Sequence, residues 1–262
     1  MIALSVNLNK IALIRNSRDT RNPDIPLHAK MCLDAGADGI TVHPRPDQRH
    51  IRADDCTDLA EFLSHYGEIE FNIEGNPHSG PRRSDRKGVS DYPGFIELVK
   101  EIRPAQCTLV PDGDSQLTSD HGFDLEKDGD TLAPIIAQLS SLGIRTSLFM
   151  DPDPKQIRLA AQTGADRIEL YTESYAAACT HKRDVDALFR QFVIAAETAS
   201  EHGLGINAGH DLDLSNLPLF ATLPGLLEVS IGHALTVDAI RMGMANAVRA
   251  YQLSLGNGPG PE

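Results

Sequence analysis

Four short apolar runs of this 262-residue chain end in a side chain that can carry a proton. His43 ends GITVH, Glu74 ends IEFNIE, His210 ends GINAGH and His233 ends LEVSIGH. Imidazole titrates near neutral pH and a sheltered carboxylate can act as a base, so these residue types suit repeated proton transfers. Any one of the histidines could be an ordinary surface or core residue. Their shared position at the ends of runs predicts an acid/base site.

A fifth group, Glu169, lies inside the run RIELYT rather than at its end. It alternates with Ile168 and Leu170, which we expect to face outward against helices, so its carboxylate should point into the interior. A buried carboxylate is costly unless it is paired or protonated. Glu169 is therefore either the structural partner of an inward Arg or Lys, or a functional group with a raised pKa.

Side chains that can bind anions accompany these groups. They are Asn7, Asn9 and Lys10 at the end of the first run, Arg18 beyond it, and Arg45 and His50 after His43. Asn7 and Asn9 share one face at the i, i+2 spacing of a strand. Arg18, Arg45 and His50 could clamp a phosphate or a carboxylate, although exposed arginines are usually only solvated.

Gly232, in SIGHALTVDAI, is the candidate for a backbone phosphate contact. A helix is predicted to begin near Thr236 behind it, and helix N-termini attract anions. The pattern therefore predicts either a phosphate site or an ordinary tight turn.

The elements that must position these residues alternate along the whole chain. Eight runs rich in β-forming residues are predicted as strands, namely Ala3–Asn9, Gly39–Pro44, Ile69–Glu74, Cys107–Pro111, Thr146–Asp151, Arg167–Thr172, Gly205–His210 and Leu227–His233. Amphipathic stretches separate them, with helical stripes clearest at Leu132–Leu142, Val185–Ala199 and Val237–Tyr251. Several stretches end on glycine just before the next run, as βα units do.

Eight βα units in 262 residues are typical of a (β/α)₈ barrel, which usually has about 250 residues. We therefore predict an α/β fold with a single TIM-barrel domain over residues 1–255 and a flexible tail over residues 256–262. Active sites of such barrels lie at the carboxyl ends of the strands, where the residues above collect. The long loop 75–94 carries Arg82, Arg83, Arg86 and Lys87 and is interpreted as a phosphate-attracting lid or, preferably, a solvated flap.

Composition excludes several other classes of protein. The 37 acidic residues outnumber the 24 basic ones, giving a net charge of −13 that disfavours nucleic acid and anionic membranes as partners. The four cysteines form no C-x-x-C pair, and the first apolar stretch is too polar for a signal peptide, so a cytoplasmic protein is predicted. Metal-binding, nucleophile-elbow and dinucleotide motifs are absent from the sequence. The residues alone thus predict a barrel enzyme without metal or organic cofactor that acts on phosphorylated, carbonyl-like substrates.

Six segments resemble one family, the pyridoxine 5′-phosphate synthases of vitamin B6 biosynthesis. They are VNLNKIALIRNSR, GADGITVHPRPDQRHI, NIEGNP, LVPD, INAGHDL and SIGHA, in this order and at predicted strand ends. The resemblance implies a transferase that condenses 1-deoxy-D-xylulose 5-phosphate with 3-amino-2-oxopropyl phosphate. The products are pyridoxine 5′-phosphate, phosphate and water, formed without a metal or cofactor. It also implies a homo-octamer built from dimers, with a few extra helices outside the barrel.

The resemblance implies a role for each matching residue. His43 and Glu74 match the proton acceptors, His210 matches the proton donor, and Glu169 matches a glutamate that stabilises transition states. Contacts to the amino ketone phosphate are implied for Asn7, Arg18, Gly232 and His233. Contacts to the deoxyxylulose phosphate are implied for Arg45, His50 and Thr118.

Three positions depart from the family's pattern. Asn9 and Lys10 stand where the family commonly has Asp-His, and Asp211 stands where a glycine often follows the histidine. Lys10 still offers a cation to a phosphate. Asp211 would repel a phosphate unless only its backbone made the contact.

Two rival interpretations remain open from the sequence. A sugar-phosphate isomerase using Glu74 and His43 is one, whereas a Schiff-base aldolase would need a lysine inside a strand, and the predicted strands contain none. A barrel that binds a phosphorylated ligand without turnover is the other. It would fit Asn9, Lys10 and Asp211 but leaves the acid/base residues without a purpose.

Overall fold

The computed structural model describes residues 1–18, 20–113 and 116–257, and it contains a closed barrel of eight parallel strands paired in sequence order. The strands are β1 (Ala3–Asn7), β2 (Gly39–Val42), β3 (Glu70–Gly75), β4 (Gln106–Leu109), β5 (Arg145–Met150), β6 (Arg167–Tyr171), β7 (Gly205–Gly209) and β8 (Leu226–Ile231). β8 pairs with β1, with Val229 opposite Leu4, which closes the barrel. The predicted TIM barrel is confirmed.

Eleven helices lie outside the strands in the described part of the chain. They are α1 (Asn9–Asn16), α2 (Ile25–Asp34), α3 (Ala53–Leu63), α4 (Phe95–Ile102), α5 (Leu125–Ser141), α6 (Pro154–Gln162), α7 (Glu173–His181), α8 (Val185–Glu201), α9 (Leu217–Phe220), α10 (His233–Met242) and α11 (Met244–Ser254). A plain (β/α)₈ unit needs eight, so extra helices are present as the resemblance implied.

The two faces of each strand serve different layers. Side chains such as Leu4, Val6 and Ile40 are fully buried in the apolar core between strands and helices. The intervening residues point into the barrel, where the hydroxyl oxygens of Ser5 and Thr41 are 2.7 Å apart. Because alternate residues face opposite ways, the strands can bury an apolar core on one side and present polar groups on the other.

Most strand boundaries differ from the predictions by one or two residues, and three differences affect elements around the cavity. Asn9 begins α1 rather than ending β1, because the Asn7 side chain accepts a hydrogen bond from the Asn9 backbone N–H (3.0 Å) and turns the chain. α10 begins at His233, earlier than the expected start near Thr236. The stripe predicted over Val237–Tyr251 is two helices, since Gly243 adopts a positive φ of 84° between them.

The predicted tail lies mostly beyond the described residues. Residues 258–262 are outside the described ranges, while the Asn257 side-chain amide donates to the backbone carbonyl of Ile2 (2.6 Å). The domain boundary at residue 255 stays a prediction. All four cysteines are free thiols, and three of them are buried.

Candidate active site

A cavity of about 310 Å³ opens at the carboxyl end of the barrel. Thirteen of the fourteen site residues predicted from the sequence line it, namely Asn7, Asn9, Lys10, His43, Arg45, His50, Glu74, Thr118, Glu169, His210, Asp211, Gly232 and His233. They come from strands, loops and helix starts far apart in sequence. The barrel topology brings them together because parallel strands all end at one rim.

The exception is Arg18, which does not line the cavity. It is exposed in the turn that follows α1, where its backbone N–H donates to the carbonyl of Arg15 (3.2 Å). The predicted contact between Arg18 and a substrate phosphate is therefore not supported by this geometry.

Glu74, near the end of β3, is buried close to three other carboxyl groups. Burial raises its pKa well above the usual value, and the carboxylates of Glu169, Asp112 and Glu228 add to the effect, while Arg45 opposes it. Its Oε2 accepts a long hydrogen bond of 3.4 Å from the Asn7 amide. Once ionised, Glu74 is consequently a stronger base than an exposed carboxylate.

His43 lies beside Glu74 just after β2. Its Nδ1 is 3.9 Å from Glu74 Oε2, and its Nε2 is 3.7 Å from Asp112 Oδ2. Burial, together with the positive charge of Arg45, lowers the pKa of His43 well below its usual value. The ring is thus neutral at physiological pH and able to accept a proton. Its backbone N–H donates to Asn9 Oδ1 (2.9 Å), which gives Asn9 a structural role at the site.

Glu169 points into the barrel interior from β6 and is 3% exposed. Among the described residues it has no hydrogen-bond or ion-pair partner, so the interpretation as a structural partner of an Arg or Lys is not supported. Burial raises its pKa to about 7, with His210 opposing the rise. Gly209 makes room for it, because a Cβ there would collide with Glu169 Oε1.

His210 follows β7 in a strained backbone conformation. Its φ is 77°, and that of Asp211 is 56°, a region that side chains other than glycine rarely adopt. Such residues cost about 1–3 kcal/mol each and are concentrated at active sites. The Thr172 hydroxyl holds the turn by donating to the Gly209 carbonyl (2.8 Å). With this backbone conformation the His210 imidazole lines the cavity.

The His210 ring has polar contacts at both nitrogens. Its Nε2 is 3.2 Å from the Thr118 hydroxyl, and its Nδ1 is 3.8 Å from Asp211 Oδ2. The contact with His210 is the main cause that lowers the pKa of Asp211. Asp211 therefore faces the His210 ring, and this contact favours the carboxylate form of Asp211.

Cationic and backbone donors lie at the rim near the ends of β1 and β8. α10 begins at His233, directly after Gly232, so the positive end of its dipole adjoins the cavity. A Cβ at Gly232 would lie 3.1 Å from the Asn7 Cβ, which explains the small residue there. Lys10 has no ion-pair or hydrogen-bond partner among the described residues. These groups together form a candidate phosphate site.

A second group of donors lies on the loop after β2. His50 accepts a hydrogen bond at Nδ1 from the Ile51 backbone (2.9 Å), and burial followed by the charge of Arg45 lowers its pKa to about 3. The Arg45 guanidinium forms an ion pair with Asp112 and donates to the carbonyl of Gln116 (3.3 Å). Both side chains are buried at the cavity wall.

Sequence reasoning missed several residues in and beside this site, among them Phe149 and Asp112. Phe149 lines the cavity with its ring centroid 5.8 Å from that of His210, and no local pattern distinguishes it from other core aromatics. Asp112 forms an ion pair with Arg45. The only signal for it in the sequence is its position in the segment LVPD. The four basic residues of loop 75–94 do not line the cavity, and Arg82, Arg83 and Lys87 are exposed.

Two other kinds of site are absent from the described ranges. These ranges hold no group of three or more His, Cys, Asp or Glu side chains arranged to bind a metal ion. Nor does any helix in residues 1–18, 20–113 and 116–257 combine the length and apolar character needed to cross a bilayer.

Sequence comparisons match nearly the whole chain to one family. A family model described as pyridoxal phosphate biosynthesis protein PdxJ matches residues 4–257. A relative from Xanthomonas campestris pv. campestris (strain B100) is 54% identical over 97% of this chain and 96% of its own length. Another, from Xylella fastidiosa (strain 9a5c), is 50% identical over 95% of this chain and 92% of its own length. Both relatives are named pyridoxine 5′-phosphate synthase.

Solved structures share the fold at low sequence identity. The 3-hexulose-6-phosphate synthase from Salmonella typhimurium matches with a TM-score of 0.61 and 15% identity, covering 98% of this chain and 100% of that one. A 4-hydroxy-2-oxoglutarate aldolase structure matches with a TM-score of 0.60 and 14% identity, covering 96% and 94%. At this identity the likeness shows a common barrel and nothing about the reaction.

Proposed function

Because this chain belongs to the PdxJ family of pyridoxal phosphate biosynthesis proteins, we propose that its cavity carries out the pyridoxine 5′-phosphate synthase reaction on two phosphorylated substrates. The proposed substrates are 1-deoxy-D-xylulose 5-phosphate and 3-amino-2-oxopropyl phosphate. Their condensation requires imine formation, loss of phosphate, loss of water and ring closure. Each of these steps moves a proton.

The observation that carries the proposal is the convergence of four acid/base side chains on one cavity, His43, Glu74, Glu169 and His210. Their surroundings drive their pKa values apart, since that of His43 is lowered and those of Glu74 and Glu169 are raised. Such separation lets one pocket hold proton donors and acceptors at the same pH. We assign proton acceptance to His43 and Glu74, proton donation to His210, and transition-state stabilisation to Glu169.

Two groups of anion-binding side chains at the rim of the cavity support the choice of two phosphorylated substrates. We assign the amino ketone phosphate to Asn7, Gly232 and His233 at the start of α10, with Lys10 nearby. The deoxyxylulose phosphate is assigned to Arg45, His50 and Thr118. Holding both substrates in one cavity supplies the proximity that a condensation requires.

The assembly is proposed to be a cytoplasmic homo-octamer built from dimers. Support comes from exposed apolar side chains on neighbouring helices α1, α2, α10 and α11, namely Leu13, Ile14, Leu27, Met31, Ile240 and Leu253. A monomer that exposed this much apolar surface would gain by covering it. Sedimentation of the purified protein tests the octamer.

The test of the reaction is to mix metal-free protein with both substrates and to follow pyridoxine 5′-phosphate by absorbance. We expect product only when both substrates are present. Turnover of either substrate alone would instead support a sugar-phosphate isomerase. If no product formed while phosphorylated ligands still raised the melting temperature, the chain would be a binder without the proposed activity.

A further inference from the structure

Asp112, three residues beyond β4, is a buried carboxylate to which neither the sequence motifs nor the proposed mechanism assigns a role. Its side chain is 4% exposed. Oδ2 pairs with the Arg45 guanidinium and accepts a hydrogen bond from the Ser119 hydroxyl (2.9 Å). The backbone carbonyl of Asp112 accepts from the Asn76 amide (2.7 Å), which fixes the start of the loop.

The same carboxylate faces the catalytic histidine. Asp112 Oδ2 is 3.7 Å from His43 Nε2, while Glu74 Oε2 is 3.9 Å from His43 Nδ1. The imidazole therefore lies between two carboxyl groups, one on each side. Burial raises the pKa of Asp112, and the charge of Arg45 and the Ser119 hydrogen bond oppose that rise.

The other oxygen of Asp112 argues against a purely structural role. Oδ1 is buried and has no hydrogen-bond partner among the described residues. Buried carboxylates that serve only stability are normally satisfied at both oxygens. A buried carboxylate with an unsatisfied oxygen lowers folding stability, and such groups are concentrated at functional sites.

Asp112 also joins two loops that would hold one substrate. Arg45 belongs to the loop after β2, and Thr118 precedes Ser119 on the loop after β4. The ion pair with Arg45 and the hydrogen bond from Ser119 end on the same carboxylate oxygen. Removing that oxygen's charge would loosen both loops at the point where they meet.

We propose that Asp112 is a positioning residue for the deoxyxylulose phosphate half of the site. Its carboxylate sets the spacing between Arg45 and Thr118 that lets both contact this substrate, and it orients the His43 imidazole beside it. The inference rests on the proposed function, because it uses the substrate assigned there. The opposing possibility is that Asp112 only neutralises Arg45 in the empty site and competes with the substrate phosphate.

The test compares the variants Asp112→Asn and Asp112→Glu with the matched control Asp47→Asn. Asp47 pairs with Arg49 on the same loop (2.7 Å) but does not line the cavity. For Asp112→Asn we expect KM for deoxyxylulose phosphate to rise about tenfold, as charge-assisted hydrogen bonds are lost. KM for the amino ketone phosphate should stay within about twofold, Asp112→Glu should recover part of the loss, and the control should resemble the wild type.

The pH profile supplies a readout that a purely structural residue would not move. The Asp112 charge contributes to the raised pKa of Glu74, alongside burial, Glu169 and Glu228, and against Arg45. Asp112→Asn should therefore shift the limb of the profile that follows ionisation of Glu74 to lower pH. Asp47→Asn should leave that limb in place.

Three results would overturn the inference. An unchanged or lowered KM for deoxyxylulose phosphate in Asp112→Asn would show that the carboxylate competes with substrate or plays no part. An equal rise in both KM values with a lower melting temperature would show general loosening. A wild-type protein that makes no product from the two substrates would instead refute the proposed function, and this inference with it.

Discussion

The glutamates at the two ends of the barrel differ in how their charges are compensated. At the amino end, Arg167 donates to Glu228 (3.1 Å) and to Asn207 (2.9 Å), and Arg145 pairs with Glu70. At the carboxyl end, Glu169 has no hydrogen-bond partner among the described residues. Within the part of the chain that the structure describes, Glu74 accepts a single hydrogen bond, the 3.4 Å bond from Asn7.

The difference shows what distinguishes a structural charge from a reactive one. Glu228 is buried, and its pKa is raised by burial and by Glu70, yet the adjoining Arg167 guanidinium partly compensates it. Glu74 and Glu169 lack such a partner in contact, so their protons are available to whatever enters the cavity. Breaking a pair at the amino end should cost stability, whereas removing a group at the carboxyl end should cost activity.

The largest expected effect is that of Glu74→Gln at the carboxyl end. Loss of a positioned base typically lowers kcat by about a hundredfold to ten-thousandfold. The melting temperature should be unchanged or higher, because a costly buried carboxyl is replaced by a neutral isostere. Steady-state kinetics and thermal unfolding measure the two quantities on one sample. A loss of stability that matches the loss of activity would contradict the proposed division between the ends.

The converse change is Arg167→Met at the amino end. It leaves the Glu228 and Glu70 carboxylates without this cation, and breaking a buried pair costs about 3 kcal/mol of unfolding free energy. We expect kcat to stay within about twofold, since Arg167 does not line the cavity. Denaturant unfolding gives the stability, with the exposed Arg190→Met as the matched control. A large fall in kcat in the still-folded variant would show that the two ends are coupled.

The strands and the residues at the rim of the cavity could be predicted from patterns in the sequence. The eight strands were predictable because β-forming runs alternate with amphipathic stretches along the whole chain. Barrel topology then places His43, Glu74, His210 and His233 at one rim, which the cavity lining agrees with. The assigned chemical roles of these residues stay proposals.

Other features depend on contacts that no local pattern reveals. Asp112 meets Arg45 across 67 positions of sequence, and the pairing follows from how two loops pack. The end of β1 was predicted too late because the Asn7 side chain, rather than strand propensity, decides where the chain turns. Arg18 was predicted to bind an anion both from its residue type and from the family resemblance, and the geometry leaves it at the surface.

A smaller effect concerns the pH dependence of folding stability that Glu169, at the carboxyl end, should cause. Because burial raises the pKa of Glu169 from 4.5 to about 7, the folded state binds this proton more tightly than the unfolded state. The protonated carboxyl therefore favours folding, and its contribution is fully present below about pH 4.5 and is lost as pH rises through about 7.

Glu169→Gln should remove that dependence. The variant's stability relative to the wild type should increase by about 3 kcal/mol between pH 4.5 and 7 and then level off. Chemical denaturation at a series of pH values measures it, and Glu173→Gln, an exposed change on α7, serves as control. A constant offset at all pH values would mean that Glu169 titrates normally in the folded protein.

The smallest expected effect concerns the basic residues of loop 75–94. Tyr92 is buried with its hydroxyl donating to the Pro44 carbonyl (3.3 Å), and Arg82 pairs with Tyr92 through the backbone, so the loop is anchored beside the site. Arg83 and Lys87 are nevertheless exposed.

Charges on exposed side chains of this loop are largely screened beyond about 10 Å at 0.1 M salt. The double variant Arg83→Ala/Lys87→Ala should therefore change kcat/KM for either substrate by less than about twofold at that ionic strength. A rise of several-fold in KM for one phosphorylated substrate, absent at high salt, would identify the loop as a phosphate-attracting lid and would extend the reactive end of the barrel beyond its cavity.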